Sequence, residues 1–136
     1  MSYMRVFGRS LLLVAGLGSA VAATPRAHMA DEYFHTRLLK SEPLANDTVK
    51  AAPRALKLWF SEKVELPVTS VKLTDATGAA IRLSLAARPD SAESAPVIVG
   101  VVGPLVAGSY RVSWSTAAKD GHPAKGTFSF VVAPSR

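Results

Sequence analysis

Residues 108–132 read GSYRVSWSTAAKDGHPAKGTFSFVV, and the spacing within them points to the fold class. Tyr110, Val112 and Trp114 alternate with Arg111 and Ser113, while Phe128, Phe130 and Val132 alternate with Ser129 and Val131. Side chains two apart in extended backbone share a face, so a period of two marks strands with one buried side and one wet side. Between the two runs, the Asp-Gly step at Asp120 and Gly121 is turn chemistry.

The same pattern recurs upstream, where Leu56, Leu58 and Phe60 alternate with Lys57 and Trp59. Strands are predicted over 35–41, 55–60, 70–74, 80–85, 97–102, 108–116 and 126–132. Asp75, Ala76, Thr77 and Gly78 supply a hairpin loop, the stretch 104–108 punctuates another pair, and Pro53 and Pro67 each precede a strand, where a missing donor does least harm. No segment carries a helical stripe long enough for the crossover that parallel strands require. The expectation is an all-β domain, a seven-stranded Greek-key β-sandwich or barrel of immunoglobulin-like character; pattern alone leaves sandwich and barrel equal. Cysteine is absent, so the core rests on aliphatic residues and on Trp59, Trp114, Phe60, Phe128 and Phe130.

At 136 residues there is room for one domain. Arg5 and Arg9 precede an apolar run from Ser10 to Ala22, with small residues at Ala20, Ala22 and Ala23. That run is shorter than the roughly 20 residues a membrane anchor needs, so residues 1–23 read as a cleavable signal peptide and the destination as the periplasm. Residues 24–34 read as an extension and 35–136 as the domain. Removing the signal takes the formal charge from +6 to +4 by the loss of Arg5 and Arg9. The remaining Lys and Arg residues are scattered, without runs or interleaved aromatics, which argues against nucleic acid as a partner.

Enzyme signatures are missing. The chain has no Gly-x-Ser-x-Gly elbow, no phosphate-cradling glycine loop and no His-Glu-x-x-His. Glu62 and Glu65 set no useful geometry for a carboxylate pair. With no thiolate available, any metal must be held by nitrogen and oxygen. Asp120 and His122, two apart and followed by Pro123, are placed to offer an oxygen and an imidazole to one ion; the same residues also make an ordinary Asp-Gly turn beside a surface histidine.

The opening segment HTRLLKSEPLANDTVKAAPRALKLWFSEKVEL, with His35 eight residues before Pro43 and Phe-Ser-Glu at 60–62, resembles the CopC-type periplasmic copper-binding proteins. The closing segment, with its Tyr-x-Val-x-Trp strand and Asp-x-His loop, resembles the last two strands of that family. The resemblance spans His35 to Val132. It implies a copper(II) site drawn from His35, Asp120 and His122, with Glu62 as an accessory ligand or as an acceptor orienting an imidazole. It also implies a non-enzymatic copper carrier or buffer in copper homeostasis or resistance, monomeric, passing the ion to an inner-membrane transporter of the CopD type. The rivals are an interaction module without metal and an oxidative copper enzyme.

Two features depart from the family pattern. Where histidine is the first mature residue, its amine joins its imidazole as a ligand; here signal peptidase would not cut after Phe34, so His35 keeps an amide unless the extension is trimmed. The extension's own His28, Met29, Asp31 and Glu32 offer no clear replacement. The second departure is the stretch DATGAAIRLSLAARPDSAES, which contains no Met, where some relatives carry a thioether-rich loop suited to copper(I).

Overall fold

The computed structural model describes residues 36–92 and 94–134. Thus His35, the signal segment and the extension lie outside the described residues. Alternating segments become strands β1 (Leu38–Glu42), β2 (Thr48–Val49), β3 (Ala55–Phe60), β4 (Ser70–Asp75), β5 (Ala80–Ile81), β6 (Val97–Gly100), β7 (Gly108–Ala117) and β8 (Pro123–Val132), with a 3-10 turn at Leu66–Val68. They form a three-stranded sheet ordered β1-β3-β6 and a five-stranded sheet ordered β2-β8-β7-β4-β5. Two separate sheets make this a sandwich, which decides between the alternatives that period two left open.

The inner faces carry the residues the alternation assigned to them. Leu56, Leu58, Leu73 and Val112 are fully buried, and Tyr110, Phe130 and Val132 nearly so. Phe60 meets Trp114 edge-on at 5.2 Å, and Tyr110 stacks on Phe130 at 5.5 Å. The Tyr110 hydroxyl donates to the Val106 carbonyl at 2.8 Å, so the ring keeps its polar end paired while its body fills the core. Thr116 is the polar exception on the inward side of β7. Its hydroxyl lies 2.7 Å from that of Thr69, which donates in turn to the Glu65 carbonyl at 2.8 Å.

Three details differ from the reading of the sequence. β2 is an additional strand, two residues long and parallel to β8, too short to show a period. The segment predicted as 80–85 pairs with β4 only at Ala80 and Ile81, after which Leu83 bridges to Val101 near the end of β6. Trp59 is not a core residue: it is half-buried on the outer face of β3, with the Lys40 ammonium 4.5 Å from its ring centroid. Period two demands this, because Leu58 and Phe60 take the inward positions on either side of it.

Candidate metal centre

The β7–β8 hairpin carries the Asp-x-His sequence at its tip. The strands pair as far as Ala117 opposite Pro123. The turn then closes through Gly121 N–H to the Ala118 carbonyl at 2.9 Å and Ala118 N–H to the His122 carbonyl at 3.3 Å. Gly121 sits at φ +85°, a conformation that side chains beyond glycine adopt only with strain.

Within this turn Asp120 serves His122 with both oxygens. Oδ1 accepts the His122 backbone N–H at 3.1 Å, and Oδ2 lies 2.7 Å from the imidazole Nδ1. The His122 ring contact, reinforced by its backbone N–H, holds the Asp120 carboxyl below the usual aspartate range. An ionised carboxylate only accepts, so the proton between them belongs to Nδ1 and the lone pair of the neutral ring sits on Nε2. A carboxylate fixing one ring nitrogen is how proteins prepare the other for a metal. Both side chains are more than half exposed.

Glu62 stands at the far end of β3 from Ala55, where the described chain begins. Its Oε1 accepts the Thr36 hydroxyl at 2.9 Å, and Thr36 is buried. Next to it the Arg37 N–H donates to the Ser61 hydroxyl at 2.9 Å, and the Ser61 N–H donates to the Arg37 carbonyl at 2.8 Å. The Phe-Ser-Glu sequence is therefore a clamp on residues 36 and 37. A bulge in β1 between Leu38 and Lys40 leaves Leu39 exposed, and Leu39, Phe60, Glu62, Glu65, Lys119 and Asp120 line one open cleft of about 1000 Å³.

The structure thus brings Glu62 and Asp120 to a shared cleft and Asp120 to His122. It does not gather a ready cage: among the described residues no group of three or more His, Cys, Asp or Glu side chains is arranged to hold a metal. The two halves are joined by backbone, through the Val64–Ala118 bridge and the Glu65 N–H to the Ala117 carbonyl at 2.9 Å. Arg88 donates to the Val64 carbonyl at 3.2 Å. Reading the sequence missed Thr36 and Ser61 as positioning residues. Their signal was present in their adjacency to His35 and Glu62, but a hydroxyl beside such a residue has no meaning until the strands pair.

Comparison with known proteins decides the family. The model of the CopC domain matches residues 38–133. This chain is a member of the CopC family. A relative named Protein YobA, from Escherichia coli (strain K12), is 36% identical over 100 residues, covering 74% of this chain and 80% of its own. Copper resistance protein C from Escherichia coli is 33% identical over 127 residues, covering 89% and 94%. Among solved structures, CopC from Methylosinus trichosporium OB3b aligns with a TM-score of 0.67 at 28% identity, over 75% of this chain and 97% of its own. PcoC, a methionine-rich copper resistance protein from Escherichia coli, aligns with a TM-score of 0.63 at 31% identity, over 72% and 98%. Membership of the CopC family ties the chain to copper.

Proposed function

We propose that the protein binds one copper(II) ion through His35, Asp120 and His122, with Glu62 in support, and serves as a periplasmic copper carrier or buffer rather than as an enzyme. The observation that carries this reading is the pairing of Thr36 with Glu62 in the cleft that Asp120 also lines. Thr36 is joined directly to His35, so the chain is anchored to Glu62, which lines the cleft, one residue after the proposed ligand. Copper(II) favours a tetragonal set of imidazole nitrogens and carboxylate or water oxygens, which is the donor set on offer. Soft ligands are lacking: Met1, Met4 and Met29 all precede the domain and cysteine is absent, unlike the methionine-rich PcoC. An ion held by exposed groups at a hairpin tip is also one that can be surrendered, as a carrier requires. The residue 1–23 signal reading supports the periplasm as the compartment, and an inner-membrane transporter of the CopD type fits as recipient.

Copper(II) titration with intact mass measurement tests the proposal. The expected result is a single copper adduct, weakened at least about 100-fold in His122→Ala and in His35→Ala, and by about 10- to 100-fold in Glu62→Gln, the usual cost of removing an orienting group. Wild-type affinity retained in His122→Ala would exclude the site. Consumption of oxygen and reductant by the copper-loaded protein would replace the carrier with an oxidative enzyme.

A further inference from the structure

The outer face of the five-stranded sheet has a composition that the copper site does not use. Register places its outward residues in rows across β4, β7 and β8. Ser70, Ser115 and Lys125 form the first row, Lys72, Ser113 and Thr127 the second, and Thr74, Arg111 and Ser129 the third. Each row holds one cation and two hydroxyls, and none holds a carboxylate. None of these side chains takes part in a side-chain hydrogen bond or an ion pair among the described residues, where the lysine–carboxylate pairs are Lys40–Glu42 and Lys57–Glu42. Asp75, next to Thr74 in the chain, turns its Oδ1 into its own hairpin, accepting from Thr77 and the Ala79 N–H, and Asp47, beside β8, accepts the Thr48 N–H with its Oδ1.

Lys72 and Arg111 sit on adjacent strands one row apart, a diagonal spacing of about 7–8 Å at which like charges repel. A sheet face that served only to be wet would gain from an acid between them. The arrangement instead presents N–H and O–H donors in a regular array with no acceptor of matching charge. We propose that this face docks an acidic protein surface, whose carboxylates supply the missing acceptors.

Other occupants suit it less. A second copy of the chain would set Lys72 and Arg111 against their own counterparts. A bilayer calls for an apolar or aromatic wedge, or for a denser cluster of about four to eight basic residues, and the rows contain neither. Single-stranded nucleic acid would need aromatic platforms, and the rows have none. A polar, cationic patch of this kind matches the small, transient class of protein interface.

The face also has a direction. Its first row runs into Ala117 and Pro123, the residues that open the Asp120–His122 turn, so a partner seated there lies against that turn. Hand-over of an ion across this contact rests on the copper reading. Docking itself does not, and it is tested without metal.

The probe is poly-L-glutamate titrated into isotope-labelled protein at low ionic strength, read by backbone amide shifts. The expected shifts concentrate on β4, β7 and β8, and affinity falls at least tenfold in Lys72→Glu/Arg111→Glu but less than twofold in Lys50→Glu/Arg54→Glu, which carries the same change of charge elsewhere. Should the first variant fail to fold, Lys72→Gln/Arg111→Gln serves with the same expectation at reduced size. Equal losses in both variants, shifts spread over all basic residues, or no binding would overturn the proposal. So would shifts on this face produced by phosphatidylglycerol vesicles and not by the polypeptide, which would assign the face to a lipid surface.

Discussion

Gly121 illustrates how much of the site depends on one backbone angle. At φ +85° it lets the chain reverse between Ala118 and His122, which brings the His122 N–H and ring nitrogen onto the two oxygens of Asp120. A Cβ there meets no neighbour, so the cost of Gly121→Ala is conformational alone, about 1 kcal/mol. Denaturant unfolding should show that loss, and copper(II) titration should show weaker binding, because the turn relaxes by separating Asp120 from His122. Asp75 gives a second test at this scale. The Thr77 hydroxyl, helped by the N–H groups of Ala79 and Thr77, holds its carboxyl below the ordinary aspartate range. A depressed folded-state value means that the stabilisation is present above the unfolded value, near 4, and is lost as pH falls through the folded one. Asp75→Ala should therefore lower the melting temperature at pH 7, and its gap from wild type should close as the pH falls below the ordinary aspartate range. Asp120 and His122 were legible as a pair from residue type and spacing, which also left an ordinary turn open, and Glu62 only through the family resemblance. Thr36 and Ser61 were not, since a hydroxyl acquires its role only from the partner that folding supplies.

Strands obey a similar division. β3, β7 and β8 were legible because each carries a run of alternating buried residues, Leu56 and Leu58, Tyr110 to Thr116 and Phe128 to Val132, over which period two is uninterrupted. β2 was not, because Thr48 and Val49 follow a reversal at Asn46, φ 62°, and two residues carry no period. The pairing of β7 with β8 also depends on a close approach that pattern reading passes over. Gly126 lies opposite Trp114, and a Cβ on it would stand 2.6 Å from the indole Cζ2 and 2.8 Å from Cε2. The ring is buried and packs edge-on against Phe60, so it has little room to move. Gly126→Ala should cost about 1–3 kcal/mol in denaturant unfolding, the range for overpacking. Because Phe60 leads directly into the Ser61–Glu62 clamp, the same variant should also quench or shift Trp fluorescence at the cleft end of the sandwich. Leu58→Ala, by contrast, removes a fully buried side chain and should cost about 2–5 kcal/mol by leaving a cavity, without moving the indole.

For the molecule as a whole, the open variable is where the working chain starts. The domain fixes Asp120 and His122 on one hairpin and clamps residues 36 and 37 through Ser61 and Glu62, so the proposed site is closed by whatever precedes Thr36. In a chain that begins at His35, the residue offers an amine as well as an imidazole, and the two form one chelate. In a chain that begins at Ala23 the same nitrogen is an amide, a far poorer ligand near neutral pH, and a flanking segment must be ordered or displaced when the ion binds. The two lengths should therefore differ in copper(II) affinity by at least about tenfold, about 1.4 kcal/mol, with the shorter chain the tighter. Competition titration of both chains measures this directly. Acetylating the amine of the shorter chain should bring its affinity down to that of the longer one, since it converts the same nitrogen to an amide without touching the imidazole. Equal affinities before acetylation would show that His35 contributes through its ring alone, and would leave Asp120, His122 and Glu62 to supply the rest of the binding.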